Sequence, residues 1–374
     1  MTNNIDRVAA ALDNQDYKEA SRLLKQLYKQ SPSDAWVQFY IGRLYEETGK
    51  WEAAEKAYRQ LLRTVTLPKV LSKARQGLQR LEEGEKARRQ RAIARSKADP
   101  RSEEPGVLIL EATAPERRAE LAQRLARILQ IDPYTAKLRL QIHGWRLYRT
   151  GSMGELKVYG EELQQAGLSV FWASLRDIPK IAVFRVCHFQ SVSPQPTIVC
   201  RDEGDRLGQL TFDWSEVTHR VNGRLPIFVE AVHYDISRKT SEQIRRKTET
   251  QDYAQVCDLH LPGRRCILRL CDSSYQFDRG VIFSSHQQPT PGATSTATNR
   301  LKWNGMLGVL QQHLEGAKVW SEFTPFAETA LEYRFLLESL TPHIDVLRPA
   351  PTTWDSAFQL YSTLVFLKND GAMG

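Results

Sequence analysis

The sequence predicts a multi-domain protein of the α and α+β classes. N-terminal helical hairpins come first, then a βααβαβ sandwich, then a mostly antiparallel β region with C-terminal helices. Three observations predict this order. Small and aromatic residues recur at a 34-residue offset near the start of the chain, and the apolar pattern changes from helical to alternating spacing after Gly106. After Asn299 the alternation ends and apolar residues return at helical spacing.

The repeat is clearest between Ala35 and Val65, which carry Gly42, Tyr45, Gly49, Trp51, Ala54 and Tyr58. Gly42 and Ala54 are small where two helices must approach closely, and Gly49 suits the end of the first helix. Tyr45, Trp51 and Tyr58 are expected to fill the wedge between helices. One period earlier, Tyr17, Ala20 and Leu24 stand under Trp51, Ala54 and Tyr58, with Pro32 at the repeat's close. Val8, Ala11 and Gln15 replace the Gly, Tyr and Gly of the first helix, so this repeat is degraded. After Pro68, the residues Val70, Leu71, Ala74, Gly77, Leu78 and Leu81 keep helical spacing and predict a capping helix. The array is assigned to residues 1–83.

This skeleton resembles the tetratricopeptide repeat. The resemblance implies a groove, lined by the first helix of each repeat, that takes a peptide segment of a partner protein. On that basis Trp36, Phe39, Arg43, Glu46 and Glu47 are the groove candidates. Trp36 or Phe39 packing on the first repeat is the competing expectation. The layout is similar to bacterial, and most of all cyanobacterial, tetratricopeptide proteins that join a short N-terminal array to a globular domain. The resemblance covers the first eighty or so residues, and the rest of the chain inherits nothing from it.

Net charge is +8, and two segments hold all of it. Residues 84–101 carry +5 and residues 238–249 carry +3. The first lies in a connector, 84–105, rich in Arg, Lys, Gln, Glu and Ala, which reads as a solvated helix fraying into a linker. The second is placed in a polar segment between strands. Both could hold a polyanion by releasing phosphate counterions. The anion-binding candidates are Arg88, Arg89, Arg91, Arg95, Arg245, Arg246 and Lys247.

From Val107 the predicted elements run strand 107–110, helix 117–128, helix 133–140, strand 145–148, helix 154–166 and strand 168–172. They form an α+β domain over 106–176. Their order is similar to that of the C-terminal domain of the ribosomal stalk protein, a likeness that carries no site residues. Period-two segments at 181–189, 197–200, 210–212, 227–234, 254–261 and 266–271 make 177–298 a β-rich region. Helical segments at 299–314, 325–340 and 354–367 belong to a C-terminal stretch, 299–370, expected to pack on the β region.

No chemistry-bearing motif survives inspection. Cys257, His260, Cys266 and Cys271 have zinc-competent side chains, but the turn at 262–265 places Cys257 and Cys266 on one sheet face and His260 and Cys271 on others. Core thiols explain them better. Gly49-Lys50 belongs to the repeat, not to a phosphate loop. Asp213, Glu216, Glu230 and Asp235 could meet across strands, though solvated strand faces are commoner. No catalytic, cofactor or metal residues are assigned. No segment has the roughly 18 apolar residues of a membrane helix, the N-terminus lacks a secretory pattern, and five scattered cysteines without a Cys-x-x-Cys pair argue against a disulfide framework.

The expected function is therefore that of a cytoplasmic, non-enzymatic adaptor, scaffold or assembly factor that binds another protein through its repeat array, with self-association open. The alternative is a nucleic-acid or anionic-nucleotide binding module built on the basic segments.

Overall fold

The structure, a computed structural model, describes residues 2–96, 98–234, 244–283, 298–348 and 350–370; for 2–3, 231–234 and 244–248 the backbone alone is described. The chain divides into two compact units, Met1–Ala98 and Asp99–Gly374.

The first unit holds five helices: α1 (Thr2–Asp13), α2 (Tyr17–Gln30), α3 (Ala35–Glu47), α4 (Trp51–Thr64) and α5 (Pro68–Ser96). Local chemistry sets their starts. The Asp16 carboxylate caps α2 by accepting from the Glu19 N–H, and Asp34 caps α3 by accepting from the Trp36 and Val37 N–H groups. Gly49, at φ +74°, provides the left-handed residue that lets the chain turn from α3 into α4. Two apolar clusters follow. Val8, Leu12, Leu23, Leu24 and Val37 join α1 and α2 to α3, and Phe39, Ala54, Tyr58, Leu61 and Val70 join α3 and α4 to α5.

Two expectations change here. Helix α5 does not end near residue 83 but runs unbroken through most of the expected connector to Ser96. Ala, Arg, Lys, Gln and Glu dominate that stretch, and all favour helix. Trp51 does not fill a wedge: at the first position of α4 it is 40% exposed, and the Arg88 guanidinium from the α5 extension lies 4.4 Å from the ring centroid.

In the second unit, β1 (Pro105–Leu110), α6 (Arg118–Leu129), α7 (Pro133–Arg139), β2 (Arg146–Ser152), α8 (Met153–Gln165) and β3 (Val170–Ser174) follow the predicted βααβαβ order. The strands form an antiparallel sheet in the order β2-β1-β3. Side-chain alternation gives it two buried faces. Leu108, Leu110 and Trp172 pack with Leu121 and Leu125 of α6 and Leu163 of α8, while Val107, Ile109 and Phe171 face the other way.

The remaining strands are β4 (Ala182–Ser191), β5 (Thr197–Arg201), β6 (Leu207–Thr211), β7 (His219–Tyr234), β8 (Ile244–Leu261), β9 (Cys266–Cys271) and β10 (Lys318–Trp320). They build a seven-stranded sheet, β10-β7-β8-β9-β4-β5-β6, antiparallel except at β10–β7 and β4–β9. Helices α9 (Asn299–His313), α10 (Phe323–Ala330), α11 (Arg334–Glu338) and α12 (Thr353–Asn369) complete the unit.

One face of the large sheet packs on α9 through Leu259, Leu268 and Leu270 against Trp303, Met306 and Leu310. The opposite face joins the free face of the small sheet in a single core, with α12 in it. Tyr361 of α12 meets Trp145 beside β2 at 5.5 Å, and Phe366 meets His260 of β8 at 5.3 Å. Residues 355–367 of α12 are all buried, as expected of a helix without a solvent face. Regions that the sequence divides at 176 and 298 therefore share one interior. No helix among the described residues is long and apolar enough to cross a membrane.

Candidate functional site

The first helices of the repeats, α1, α3 and α5, lie side by side, with α3 in contact with both neighbours. Their facing surfaces carry a chain of charges. Arg43 Nη2 donates to Asp13 Oδ1 at 2.8 Å, and Arg43 Nε stands 3.9 Å from Glu47 Oε1. On the other side of α3, Arg80 of α5 donates to both oxygens of Glu46 at 2.7 and 2.9 Å. The Tyr58 hydroxyl donates to Glu46 Oε2 at 2.7 Å. Burial, then the hydrogen bond to Glu46, drives the Tyr58 phenol far above its ordinary value, so it stays a donor. The bond to the Glu46 carboxylate likewise holds the Arg80 guanidinium up.

The predicted groove residues divide into two groups. Phe39 is 4% exposed and packs 5.9 Å from Tyr58 inside the array. Glu46 is held by Tyr58 and Arg80. Trp36 is half-buried, edge-on to Phe39 and stacked on Tyr40 at 6.2 Å. Arg43 is partly covered and Glu47 is exposed. Of these residues and those paired with them, Trp36, Arg43, Glu47 and Asp13 keep solvent-accessible surface. Asp13 and Arg80 were not singled out from the sequence. Arg80 had a signal, since it lies 34 residues after Glu46 with opposite charge.

Of the anion candidates, Arg88, Arg91 and Arg95 are exposed on α5 and Arg89 is partly buried. Spacings of three and four residues put Arg88, Arg91 and Arg95 on one helix face. Arg245, Arg246 and Lys247 do not lie between strands. They are within β8, paired with His233, Val232 and Ala231 of β7, because the hairpin ladder continues past the apolar residues that marked the strand. Arg238 and Lys239 lie outside the described residues.

A second cluster, in the Asp99–Gly374 unit, has no signal in any motif. Asp258 and Arg269 stand directly opposite each other on β8 and β9, both fully buried, with two hydrogen bonds of 2.8 and 2.6 Å. Arg269 also donates to the Pro342 carbonyl at 2.6 Å and to Gln359 Oε1 at 2.7 Å. Asp355, Gln359 and Ser362 place a polar stripe along one face of the otherwise apolar α12. Ser362 Oγ donates to Asp258 Oδ2 at 2.5 Å and lies 3.0 Å from His260 Nε2. Because Ser362 Oγ–H is donated to Asp258, its oxygen is left to accept from His260, which places that imidazole hydrogen on Nε2.

This Ser, His and Asp set is wired differently from a nucleophilic triad. There the carboxylate orients the imidazole and the imidazole takes the serine proton. Here Asp258 holds the serine, and His260 Nδ1 has no partner among the described residues. Burial, followed by the charges of His219 and Arg269, pushes the His260 pKa well down.

Other candidates are absorbed into the structure. Asp213 and Glu216 form the capping box of a short 3-10 turn, and Glu216 holds Arg264 at 2.6 Å. Asp235 lies outside the described residues. The five cysteines are free and buried. Cys257 and Cys266 belong to the α9-side core and Cys271 to the α12 side. Burial pushes the Cys257 thiol to about 12 and Cys200 and Cys266 to about 11. No group of three or more His, Cys, Asp or Glu among the described residues could hold a metal ion.

No curated protein and no solved structure matches the chain. Residues 11–75 match the family model of the tetratricopeptide repeat, and the helices over that range bear the match out, so the N-terminal array is a tetratricopeptide repeat array, a module for protein–protein interaction.

Proposed function

We propose that the chain is a non-enzymatic adaptor or scaffold whose repeat array captures a partner protein on the surface formed by Trp36, Arg43, Glu47 and Asp13. The observation that carries this is the side-by-side placement of α1, α3 and α5, of which α3 lies wholly inside the matched residues 11–75. The aromatic Trp36 stands at the edge of a charged strip there, a combination suited to binding a peptide with an apolar anchor and polar flanks. The fully buried Ser362, His260 and Asp258 support the non-enzymatic reading, since no substrate reaches them. Five reduced, buried cysteines suit a cytoplasmic setting.

The test is affinity capture with the full-length protein, comparing the native chain with Trp36→Ala plus Glu47→Lys. A protein enriched by the first and lost by the second, at unchanged melting temperature, supports the reading. Equal capture by both sinks it.

A second reading rests on the Arg88, Arg91 and Arg95 face of α5, which presents positive charge at helical spacing toward a polyanion. Retention on heparin that falls steeply with salt and is lost in Arg91→Glu plus Arg95→Glu would favour it. Absence of retention at low salt would exclude it.

A further inference from the structure

Large apolar side chains left in solvent gather at one place in the Asp99–Gly374 unit. On α7, Tyr134 and Leu138 stand four residues apart on one face and are 72% and 58% exposed, while Ala136 and Leu140 turn into the core of the small sheet. Ile142, just past the helix, is exposed as well. The Arg139 guanidinium lies 5.5 Å from the centre of the Tyr148 ring, and the Tyr148 carbonyl accepts from the Tyr333 hydroxyl, which brings the start of α11 toward α7. Phe335 of α11 is 92% exposed. Exposed apolar residues scattered singly are ordinary, but a group of this kind marks an interaction surface.

The charges around this patch are cationic once the paired ones are set aside. Asp132 caps α7 by accepting from the Thr135 N–H, Glu332 is paired with Arg146 at 3.5 Å, and Glu338 with Arg334 at 4.0 Å. Lys137 and Arg139, which border the stripe on α7, take part in no ion pair among the described residues. Arg118 of α6, also without an ion pair among them, donates to the Lys137 carbonyl at 2.9 Å and adds a third cation.

We propose that this patch docks the protein on an anionic lipid surface, with Tyr134, Leu138 and Phe335 entering the headgroup region and Arg118, Lys137 and Arg139 against the lipid phosphates. Binding of this kind grows with the apolar area buried and with the attraction of Lys and Arg for acidic lipids. Exposures this high belong to side chains that stand clear of the surface rather than line a groove. Lipid headgroups rearrange around such projections, whereas a protein partner needs a matching pocket for each. Nothing in this depends on what the repeat array binds.

The experiment is co-sedimentation of the full-length protein with vesicles of phosphatidylcholine alone and with vesicles in which about a third of the lipid is phosphatidylglycerol. The protein partitions onto the acidic vesicles about tenfold or more better than onto the neutral ones, and the difference shrinks as salt rises. Leu138→Ser plus Phe335→Ser, and separately Lys137→Glu plus Arg139→Glu, each weaken that partitioning by about tenfold or more at unchanged melting temperature. Arg91→Glu plus Arg95→Glu, on α5, leaves it within about twofold. Partitioning that survives the Leu138 and Phe335 changes but is lost with those on α5 overturns the proposal. Equal partitioning onto both kinds of vesicle overturns it too. So does none onto the acidic vesicles, the outcome expected if an acidic protein segment covers the patch instead.

Discussion

Arg80 stands thirty-four residues beyond Glu46, one repeat period, and grips its carboxylate with two hydrogen bonds of 2.7 and 2.9 Å. Equivalent positions on consecutive first helices thereby hold each other across the face that the array presents. The same carboxylate accepts from Tyr58, so one acidic side chain ties α3 to both α4 and α5.

Glu46→Ala leaves the Tyr58 hydroxyl buried without its acceptor, at a cost of about 1–3 kcal/mol. Arg80→Ala should cost less, about 0–1 kcal/mol, because that side chain is half exposed. Urea denaturation followed by circular dichroism ranks the two. Equal losses would show that the ion pair, not the tyrosine bond, holds the array.

Gly77→Ala tests packing against propensity. Alanine is the better helix former by about 1 kcal/mol. Yet a Cβ at Gly77 would meet the Tyr58 ring at 2.5 Å, and one at Gly42 would meet its other edge at 2.8 Å. Overpacking of this kind costs about 1–3 kcal/mol, so Gly77→Ala should lower the melting temperature. Adding Tyr58→Leu, which removes the ring, should leave the alanine neutral or favourable. A stabilising Gly77→Ala in the native background would contradict the close approach.

Asp258→Asn removes the counterion of Arg269 in a fully buried site. The expected loss is about 3–5 kcal/mol, since an uncompensated charge is left in the interior. Asp258→Leu combined with Arg269→Met should lose less than the single variant, although Ser362 and Gln359 then each lose one partner. The measurement is chemical denaturation of the full chain, and a single-variant loss under about 1 kcal/mol would show that the pair is not held as described.

Three histidines, one buried and two partly buried, set a pH dependence. His260, His219 and His343 are all shifted below the ordinary imidazole value of 6.5, with burial the leading cause in each. Below that value the unfolded chain takes up protons that the folded chain refuses, so the unfolded state binds more protons and folding stability falls with pH. The decline begins as pH drops through about 6.5 and continues down to the folded-state values. His260→Gln should flatten the slope by up to about 1.4 kcal/mol per pH unit. Urea midpoints measured between pH 7.5 and 5.5 read it directly. A slope identical in the variant would mean that His260 is protonated in the folded chain.

The sequence by itself determined most of the elements, but not β10, the full lengths of β7 and β8, or the break between α10 and α11. Glycine and proline mark where helices turn, and apolar alternation places β1, β4 and β9 within two residues of their observed bounds. It also showed the repeat, because its skeleton is a local pattern at a fixed offset. The length of α5 was less legible: the charged stretch reads as a solvated helix, but without apolar periodicity nothing marks it as the continuation of the capping helix. Only the tertiary structure decided which side chains of the array are available. Phe39 and Trp36 stand three residues apart on one helix, yet α4 covers the first and leaves the second half-open. It alone decided that Asp258 meets Arg269, that α12 sets its polar stripe against them, and that both sheets share one core. The physical reason is that burial and charge pairing depend on contacts between residues far apart in the chain, such as Asp258 and Ser362, 104 positions apart, and local sequence carries no record of such a meeting.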